Sequence, residues 1–234
     1  QLFVKSAKFY DALYHFKDYK KASERLTEII SNFNPGAVSI LDTACGTGKH
    51  IENLMSRYEC EGLDINKELL EIAEQRCPGI VFHESDMTEF NLRKKFDVVT
   101  CLFSSIAYVK TYQNLVKAVS TMSDHLNRNG LLIIEPWFSR ETYYVNTITA
   151  NHYDEKDMKI AWMYNSIMKD EMSVLDIHYL AGTPEGVIHF SELHELGLFD
   201  DAQYRKAMTD AGLEVHYDKD GLFGRGMYIG IKNL

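Results

Sequence analysis

Hydrophobic positions follow two different periods between residues 38 and 136. Short apolar runs predict buried strands at residues 38–41, 80–82, 96–101 and 131–134. Between the runs, apolar residues recur every three or four positions, which predicts helices, and one such helical face combines Leu115, Val119 and Leu126. Strands that alternate with helices predict an α/β fold with a doubly wound, mostly parallel sheet.

The pattern changes after residue 136. Residues 137–199 contain alternating stretches, in one of which Leu175, Ile177 and Tyr179 share a face, and these predict antiparallel strands inserted over the sheet to cover a pocket. Helical spacing returns at 202–211, and strands are predicted at 213–217 and 227–231. We therefore interpret residues 1–234 as a single domain. It has helices in 1–34, a ligand-binding core in 35–136, the insertion in 137–199, and the last core elements in 200–234.

Composition and charge narrow the class of protein. Hydrophobic residues make up 45% and charged residues 25%, which is typical of a soluble globular protein. The 25 basic and 34 acidic residues leave a net charge of -9, which argues against a nucleic-acid partner. The densest basic patch, formed by Lys17, Lys20 and Lys21, is interpreted as the solvated face of a helix. No apolar run approaches the roughly 20 residues of a membrane helix, so no membrane association is predicted.

The strongest local signal is the segment Leu-Asp-Thr-Ala-Cys-Gly-Thr-Gly at residues 41–48, between a predicted strand and a predicted helix. Doubly wound sheets bind ligands at such carboxyl ends of strands, and Gly46 and Gly48 allow a tight turn and a close approach of the backbone to a ligand. The third glycine of a dinucleotide-binding turn is replaced by Ile51, and the spacing does not match a phosphate-binding P-loop.

Two further acidic residues follow predicted strands. Asp64 lies 16 residues after Gly48, where a carboxylate can accept both hydroxyls of a ribose. Asp86 can accept a hydrogen bond from an adenine amino group, and Met87 can pack on the ring. The expected ligand contains adenine and ribose but need not contain phosphate, and an acidic pocket suits a cationic sulfonium.

These three segments, DTACGTG, GLD and SDM, resemble motifs I, II and III of the class I S-adenosylmethionine-dependent methyltransferases. The resemblance implies a Rossmann-like methyltransferase sheet with S-adenosyl-L-methionine as the cofactor. It also assigns residues to the methionine part, the ribose, the adenine and the underside of the cofactor. In that order, the assigned residues are Asp42, Ala44, Cys45, Gly46 and Gly48; Asp64 and Ile65; Asp86 and Met87; Leu102 and Phe103.

Further segments spread along the chain are similar to one group of these enzymes, the N,N-dimethyltransferases of nucleotide-linked 3-amino-deoxysugars. The segments are Lys17-Asp18-Tyr19, residues 103–108, Glu135-Pro136-Trp137, His189-Phe190-Ser191 and Gly224-Arg225-Gly226. The resemblance implies a seven-stranded sheet with an inserted antiparallel sheet, often in a homodimer. The sequence departs from the pattern of this group at residues 138–140 and 221–223, and both segments are expected on the substrate side.

The same resemblance suggests roles on the substrate side. Tyr19 is expected to contact the cofactor, and Tyr108 is the candidate catalytic residue that orients the substrate amine. Arg225 is expected to bind the diphosphate, because its planar guanidinium suits phosphate oxygens. Trp137, Tyr14 and His178 complete the candidate substrate site.

Three hypotheses follow. The first is N-methylation of an amino sugar on a nucleotide carrier. The second is methylation of another small molecule at nitrogen, oxygen or carbon, and the third is a nucleotide-binding protein without methyl transfer. Methyl transfer depends mainly on alignment, so no strong catalytic triad is expected, and the His, Asp and Glu spacings predict no metal site. The lack of a targeting segment, together with the implied cofactor, predicts a cytoplasmic enzyme.

Overall fold

The N-terminal segment contains a short turn and two helices, of which the longer packs against the main sheet. The structure, a computed structural model, describes residues 6–233. A short 3-10 turn, Ala7–Phe9, leads into α1 (Tyr10–Leu13) and then α2 (Tyr19–Phe33). The Asp18 carboxylate caps α2 by accepting a 2.9 Å hydrogen bond from the backbone N–H of Lys21. Helix α2 thus begins at residue 19, and the predicted helical structure in residues 1–5 lies outside the described residues.

Strands and helices alternate through the core as the apolar pattern predicts. In chain order these elements are β1 (Ser39–Thr43), α3 (Lys49–Leu54), β2 (Glu59–Asp64), α4 (Lys67–Arg76), β3 (Val81–Glu84), β4 (Phe96–Cys101), α5 (Tyr112–Asp124) and β5 (Leu126–Ile134). A 3-10 helix, Ser105–Val109, connects β4 to α5. The first five strands pair in parallel in the order β3-β2-β1-β4-β5.

A four-stranded antiparallel sheet interrupts the core after β5. Its strands are β6 (Ile148–Glu155), β7 (Met158–Lys169), β8 (Met172–Thr183) and β9 (Gly186–Gly197), which pair in sequence order. Leu175, Ile177 and Tyr179 share its buried face, as predicted. They pack in one apolar cluster with Phe9 of the N-terminal turn and Ala107 of the 3-10 helix.

The chain then returns to complete the main sheet. Helix α6 (Asp201–Asp210) is followed by β10 (Leu213–Asp218) and β11 (Met227–Lys232). Strand β11 pairs antiparallel with both β5 and β10, which gives seven strands in the order β10-β11-β5-β4-β1-β2-β3. The doubly wound α/β sheet with an antiparallel insertion is therefore confirmed.

Apolar side chains from the central strands are buried on both faces of the main sheet. On one face Val99 and Leu132 pack with α5 and α6, and on the other Val98 and Ile133 pack with α2, α3 and α4. Burial on both sides explains why these strands have nearly continuous apolar sequences. No helix within residues 6–233 combines the length and apolar composition that a membrane crossing requires.

One helical prediction is wrong at its end. Leu126 does not extend the helical face of α5 but begins β5, where it pairs with Phe96. The register between β4 and β5 then shifts before Val98, and Asn129 has a left-handed φ of 61°. The last parallel strand, predicted at residues 131–134, is therefore longer and irregular at its start.

Asp97 connects three strands at the end of the sheet opposite the predicted ligand site. Its carboxylate accepts hydrogen bonds from the backbone N–H groups of Val38 (2.9 Å) and Ser39 (3.0 Å) and from the side-chain amide of Asn127 (2.9 Å). Burial alone would raise the pKa of Asp97, but these hydrogen bonds lower it below its usual value.

We predict that Asp97→Asn lowers the free energy of unfolding at pH 7 by about 1 to 2 kcal/mol, because an amide loses the charge-assisted bonds. A carboxyl group with a depressed folded pKa stabilises the protein above its unfolded pKa, and this contribution disappears as pH falls through the folded pKa. Urea unfolding at a series of pH values should therefore show the two proteins converging in acid. Asp210→Asn, in an exposed ion pair with Lys206, is the matched control. An unchanged difference at low pH would contradict the role of the Asp97 charge.

Candidate active site

A cavity of about 1050 Å³ lies between the carboxyl ends of the core strands and the inserted sheet. The cavity borders the ends of β1 and β4, which are neighbours in the sheet. The connections that follow these two strands leave for opposite faces of the sheet. Many of the residues singled out from the sequence line it. These are Tyr14, Ala44, Gly46, Asp64, Ile65, Asp86, Met87, Phe103, Tyr108, Trp137 and Arg225.

The loop after β1 turns sharply at the wall of this cavity. Ala44 and Gly46 have φ angles of 55° and 54°, in the left-handed region that glycine adopts most easily. The backbone N–H of Gly46 donates a 2.8 Å hydrogen bond to the Asp64 carboxylate at the end of β2. Gly48 lines neither this cavity nor the small one beside it. A Cβ at Gly48 would lie 3.2 Å from the Cβ of Ala73, so this glycine lets α3 pack closely on α4.

Two carboxylates lie at the ends of adjacent strands. The second oxygen of Asp64 accepts a 2.8 Å hydrogen bond from the N–H of Asn66, and burial raises the pKa of this carboxyl. Asp86 follows β3 and accepts hydrogen bonds from the N–H (2.7 Å) and the hydroxyl (2.8 Å) of Thr88. The structure thus brings together the two acidic side chains that the sequence predicts for ribose and adenine.

A small cavity of about 30 Å³ lies beside the large one. Ala44 and Phe103 line both cavities, and four further predicted cofactor residues line only the small one: Tyr19, Asp42, Cys45 and Leu102. Burial raises the pKa of Asp42 to about 7, although a 2.7 Å hydrogen bond from Thr100 opposes the shift. Its walls offer carboxylate, hydroxyl and imidazole groups, which are suitable partners for a polar group.

His50 in the wall of this small cavity was not predicted as a site residue. It is buried, and neither of its ring nitrogens has a hydrogen-bond partner among the described residues. Burial lowers the pKa of His50 to about 3, so its imidazole is neutral. Buried polar atoms without partners are unfavourable, so a polar group of a ligand at this place would supply what His50 lacks. The position of His50, two residues after Gly48, was the available sequence signal.

Lys17 contradicts the prediction of a solvated basic face. Lys20 and Lys21 are exposed on α2, but Lys17 precedes that helix and lines the cavity. Its ammonium nitrogen contacts the ring face of Phe103 and lies 4.4 Å from the ring centroid of Phe223. Burial lowers the pKa of Lys17, and burial raises the pKa of the neighbouring Glu135.

Arg225 lies in the loop before β11 and lines the same cavity as Asp64 and Asp86. Its guanidinium donates a 3.1 Å hydrogen bond to the Ser104 hydroxyl and lies 4.5 Å from the ring centroid of Trp137. The Trp137 indole in turn donates to the Ser173 hydroxyl of the inserted sheet at 2.9 Å. An arginine stacked on an aromatic ring in a cavity is a suitable partner for an anionic ligand.

His178 is the one predicted substrate residue that the structure does not place at the cavity. It lies on β8 between Ile177 and Tyr179, and successive side chains of a strand point to opposite faces. Its side chain is 55% exposed and stacks on His189 on the outer face of the inserted sheet. The cavity is instead lined by His194, on the neighbouring strand β9.

Comparisons with known proteins agree with this geometry. A sequence family described as a methyltransferase domain matches residues 40–130. The dTDP-3-amino-3,4,6-trideoxy-alpha-D-glucopyranose N,N-dimethyltransferase of Streptomyces venezuelae is 34% identical, over 97% of this chain and 98% of that protein.

Two solved structures are also similar to this chain. The crystal structure of Streptomyces venezuelae DesVI matches with a TM-score of 0.93 and 34% identity, over 97% of this chain and 98% of that chain. CalS10, an amino pentose methyltransferase from Micromonospora echinaspora solved with S-adenosylmethionine bound, matches with a TM-score of 0.88 and 30% identity over 96% of both chains.

The sheet, the motif I loop and the paired carboxylates define a class I methyltransferase that uses S-adenosylmethionine. Within this class, the chain belongs to the family that contains the dTDP-amino-sugar N,N-dimethyltransferases. The hypothesis of a nucleotide-binding protein without methyl transfer is therefore wrong.

We predict that Asp64→Asn weakens binding of S-adenosylhomocysteine on the order of ten- to hundredfold. The amide provides a single acceptor oxygen and no charge, so it cannot hold the Gly46 N–H and also accept from a ribose. Isothermal titration calorimetry measures the effect. Glu84→Gln is the matched control, because Glu84 pairs with Asp64 in the sheet but is exposed. Equal affinities for the Asp64 variant and the wild type would contradict this assignment.

Proposed function

We propose that this methyltransferase methylates the amino group of a deoxysugar carried on a nucleoside diphosphate. The observation that carries the proposal is the continuity of one cavity from the Asp64 and Asp86 carboxylates to Arg225. Such a cavity has room for a cofactor at one end and a bulky anionic acceptor at the other. The named activities of the relatives, which act on amino sugars linked to dTDP, support the same substrate class.

For the cofactor end, we propose that Asp64 and Ile65 bind the ribose and that Asp86 and Met87 bind the adenine. The methionine part would lie along Ala44 and Gly46, with its polar end in the small cavity. The residues that would contact that end are Tyr19, Asp42, Cys45, His50, Leu102 and Phe103. S-adenosylmethionine supplies an electrophilic methyl group on a sulfonium, so the main work of the protein is alignment.

For the acceptor end, we propose that Arg225 binds the diphosphate and that Trp137 and Tyr14 line the sugar. The positive charge of Arg225 supports this arrangement. A guanidinium that is partly removed from water and stacked on an indole is stabilised more by an anionic partner than by a neutral one. Tyr108 faces the same cavity and is the proposed residue that orients the amine. A cytoplasmic location stays a prediction.

A homodimer also stays a prediction. The outer face of the inserted sheet supports it, because large apolar side chains are exposed there. They include Met163, Leu180 and Leu193. An exposed apolar patch of this kind is typical of an interaction surface.

The direct test is release of S-adenosylhomocysteine from purified protein supplied with S-adenosylmethionine and a panel of acceptors. The panel contains dTDP-linked 3-amino and 4-amino deoxysugars, the same amino sugars without the nucleotide, simple amines and phenols. We expect turnover with a nucleotide-linked amino sugar and little with the free sugars. Turnover that is restricted to a phenol or to a simple amine would contradict the proposed substrate.

We predict that Arg225→Ala raises KM for the nucleotide-linked sugar by roughly ten- to hundredfold, because charge-assisted contacts to phosphate oxygens are lost. The rate with a free amino sugar at equal concentration should change little, since it has no phosphate. Arg140→Ala is the control, because Arg140 is an exposed arginine that does not line the cavity. A similar loss with both sugars would show that Arg225 acts on the cavity wall rather than on the diphosphate.

A further inference from the structure

A chain of polar side chains runs from the cavity into the inserted sheet. The hydroxyl oxygen of Tyr108 lies 2.7 Å from Nδ1 of His194, and Nε2 of His194 lies 3.7 Å from a carboxylate oxygen of Glu192. Ser6 binds Glu192 through its backbone N–H (3.2 Å) and its hydroxyl (2.6 Å). The side chain of His194 is only 2% exposed, so the chain of groups is protected from bulk water.

The arrangement favours one tautomer of the imidazole. Burial alone would raise the pKa of Glu192, but the nearby His194 and the hydrogen bonds from Ser6 lower it, so Glu192 is a carboxylate at neutral pH. A carboxylate attracts a hydrogen and has none to donate, so Glu192 favours a neutral His194 with its hydrogen on Nε2. Nδ1 is then the acceptor for the Tyr108 hydroxyl, which donates to it.

Among residues 6–233, the ionisable groups that act on Tyr108 include three phenols and Glu192. Tyr10 and Tyr14 face Tyr108 from the N-terminal segment, and Tyr179 faces it from β8. Burial raises the pKa of each phenol, so all three are neutral. Burial also raises the pKa of Tyr108 well above its usual value, which means that Tyr108 does not act as a free phenolate. Among these groups, the imidazole of His194 is the one whose nitrogen lies within hydrogen-bond distance of the Tyr108 hydroxyl and can accept its proton.

We propose that His194 accepts the proton that the substrate ammonium must lose before methyl transfer, and that it does so through the hydroxyl of Tyr108. The proposal rests on the proposed amine substrate. An N–H bond of the ammonium breaks as its proton moves to the Tyr108 oxygen, while the original hydroxyl proton of Tyr108 moves to Nδ1 of His194. The electron pair stays on the amine as the nucleophile, and the imidazolium faces the Glu192 carboxylate. His194 is thus a positioning residue that acts through Tyr108.

His194→Asn separates proton uptake from orientation. An asparagine can place an oxygen near the position of Nδ1 and accept from Tyr108, but it cannot hold the proton. The measurement is the single-turnover rate of methyl transfer to the nucleotide-linked amino sugar, with both substrates saturating, from pH 6 to pH 10. Binding of S-adenosylhomocysteine verifies that the variant is folded. Tyr108→Phe is the second variant, since it removes the hydroxyl and keeps the ring.

We expect His194→Asn to lower the rate about 100-fold at pH 7, within the usual range for acid–base catalysis. The difference from the wild type should shrink as pH rises, because an amine that loses its proton to water needs no acceptor. Tyr108→Phe should show the same convergence. His178→Asn, on the exposed outer face, is the matched control and should behave as the wild type.

Two results would overturn the proposal in different ways. If the wild type methylates the amino sugar and both variants lose the same factor at every pH, His194 orients Tyr108 but does not take up the proton. If the wild type methylates a hydroxyl, or none of the amines in the panel, the proposed function fails and this role for His194 fails with it.

Discussion

The site depends on the reversal of strand order between β1 and β4. Strands of a doubly wound sheet continue into helices, and where two neighbouring strands send their connections to opposite faces, a crevice remains at their carboxyl ends. Here the loop after β1 turns through left-handed residues, and the Asp64 carboxylate at the end of β2 accepts the backbone N–H of Gly46. This one hydrogen bond fixes the loop and also places a carboxylate at the wall of the crevice.

The crevice contains charged groups that a closed apolar core would not tolerate. Three charged side chains are partly or wholly removed from water and shift one another's pKa values. They are Lys17, Glu135 and Arg225. Transfer of charges from water is unfavourable unless partners compensate for the loss. The sulfonium of the cofactor and the diphosphate of the proposed acceptor, which are two separate molecules, supply opposite charges to such a cavity. The same groups therefore lower the stability of the empty protein and favour a specific complex.

The inserted sheet contributes more than a cover. Its inner face closes the cavity with Leu175, Ile177 and Tyr179, and Ser173 holds the indole of Trp137. Through His194 and Glu192 it also brings ionisable groups to Tyr108, which belongs to the core. The core binds the cofactor that the whole class shares, while the insertion shapes the acceptor side. This division allows related enzymes to differ in substrate without a change of the core.

The sequence by itself determined the α/β fold, the inserted antiparallel strands and most of the residues proposed to bind the cofactor, because each depends on local periodicity or on a short motif next to a strand end. Strand alternation also explains why His178 points outward, since both of its neighbours, Ile177 and Tyr179, face the core. Tertiary structure alone decided that Lys17 is buried, that Arg225 contacts Ser104 and that His194 contacts Tyr108. These contacts join residues far apart in the chain, and they depend on loop paths and on the packing of two sheets, which no local pattern specifies.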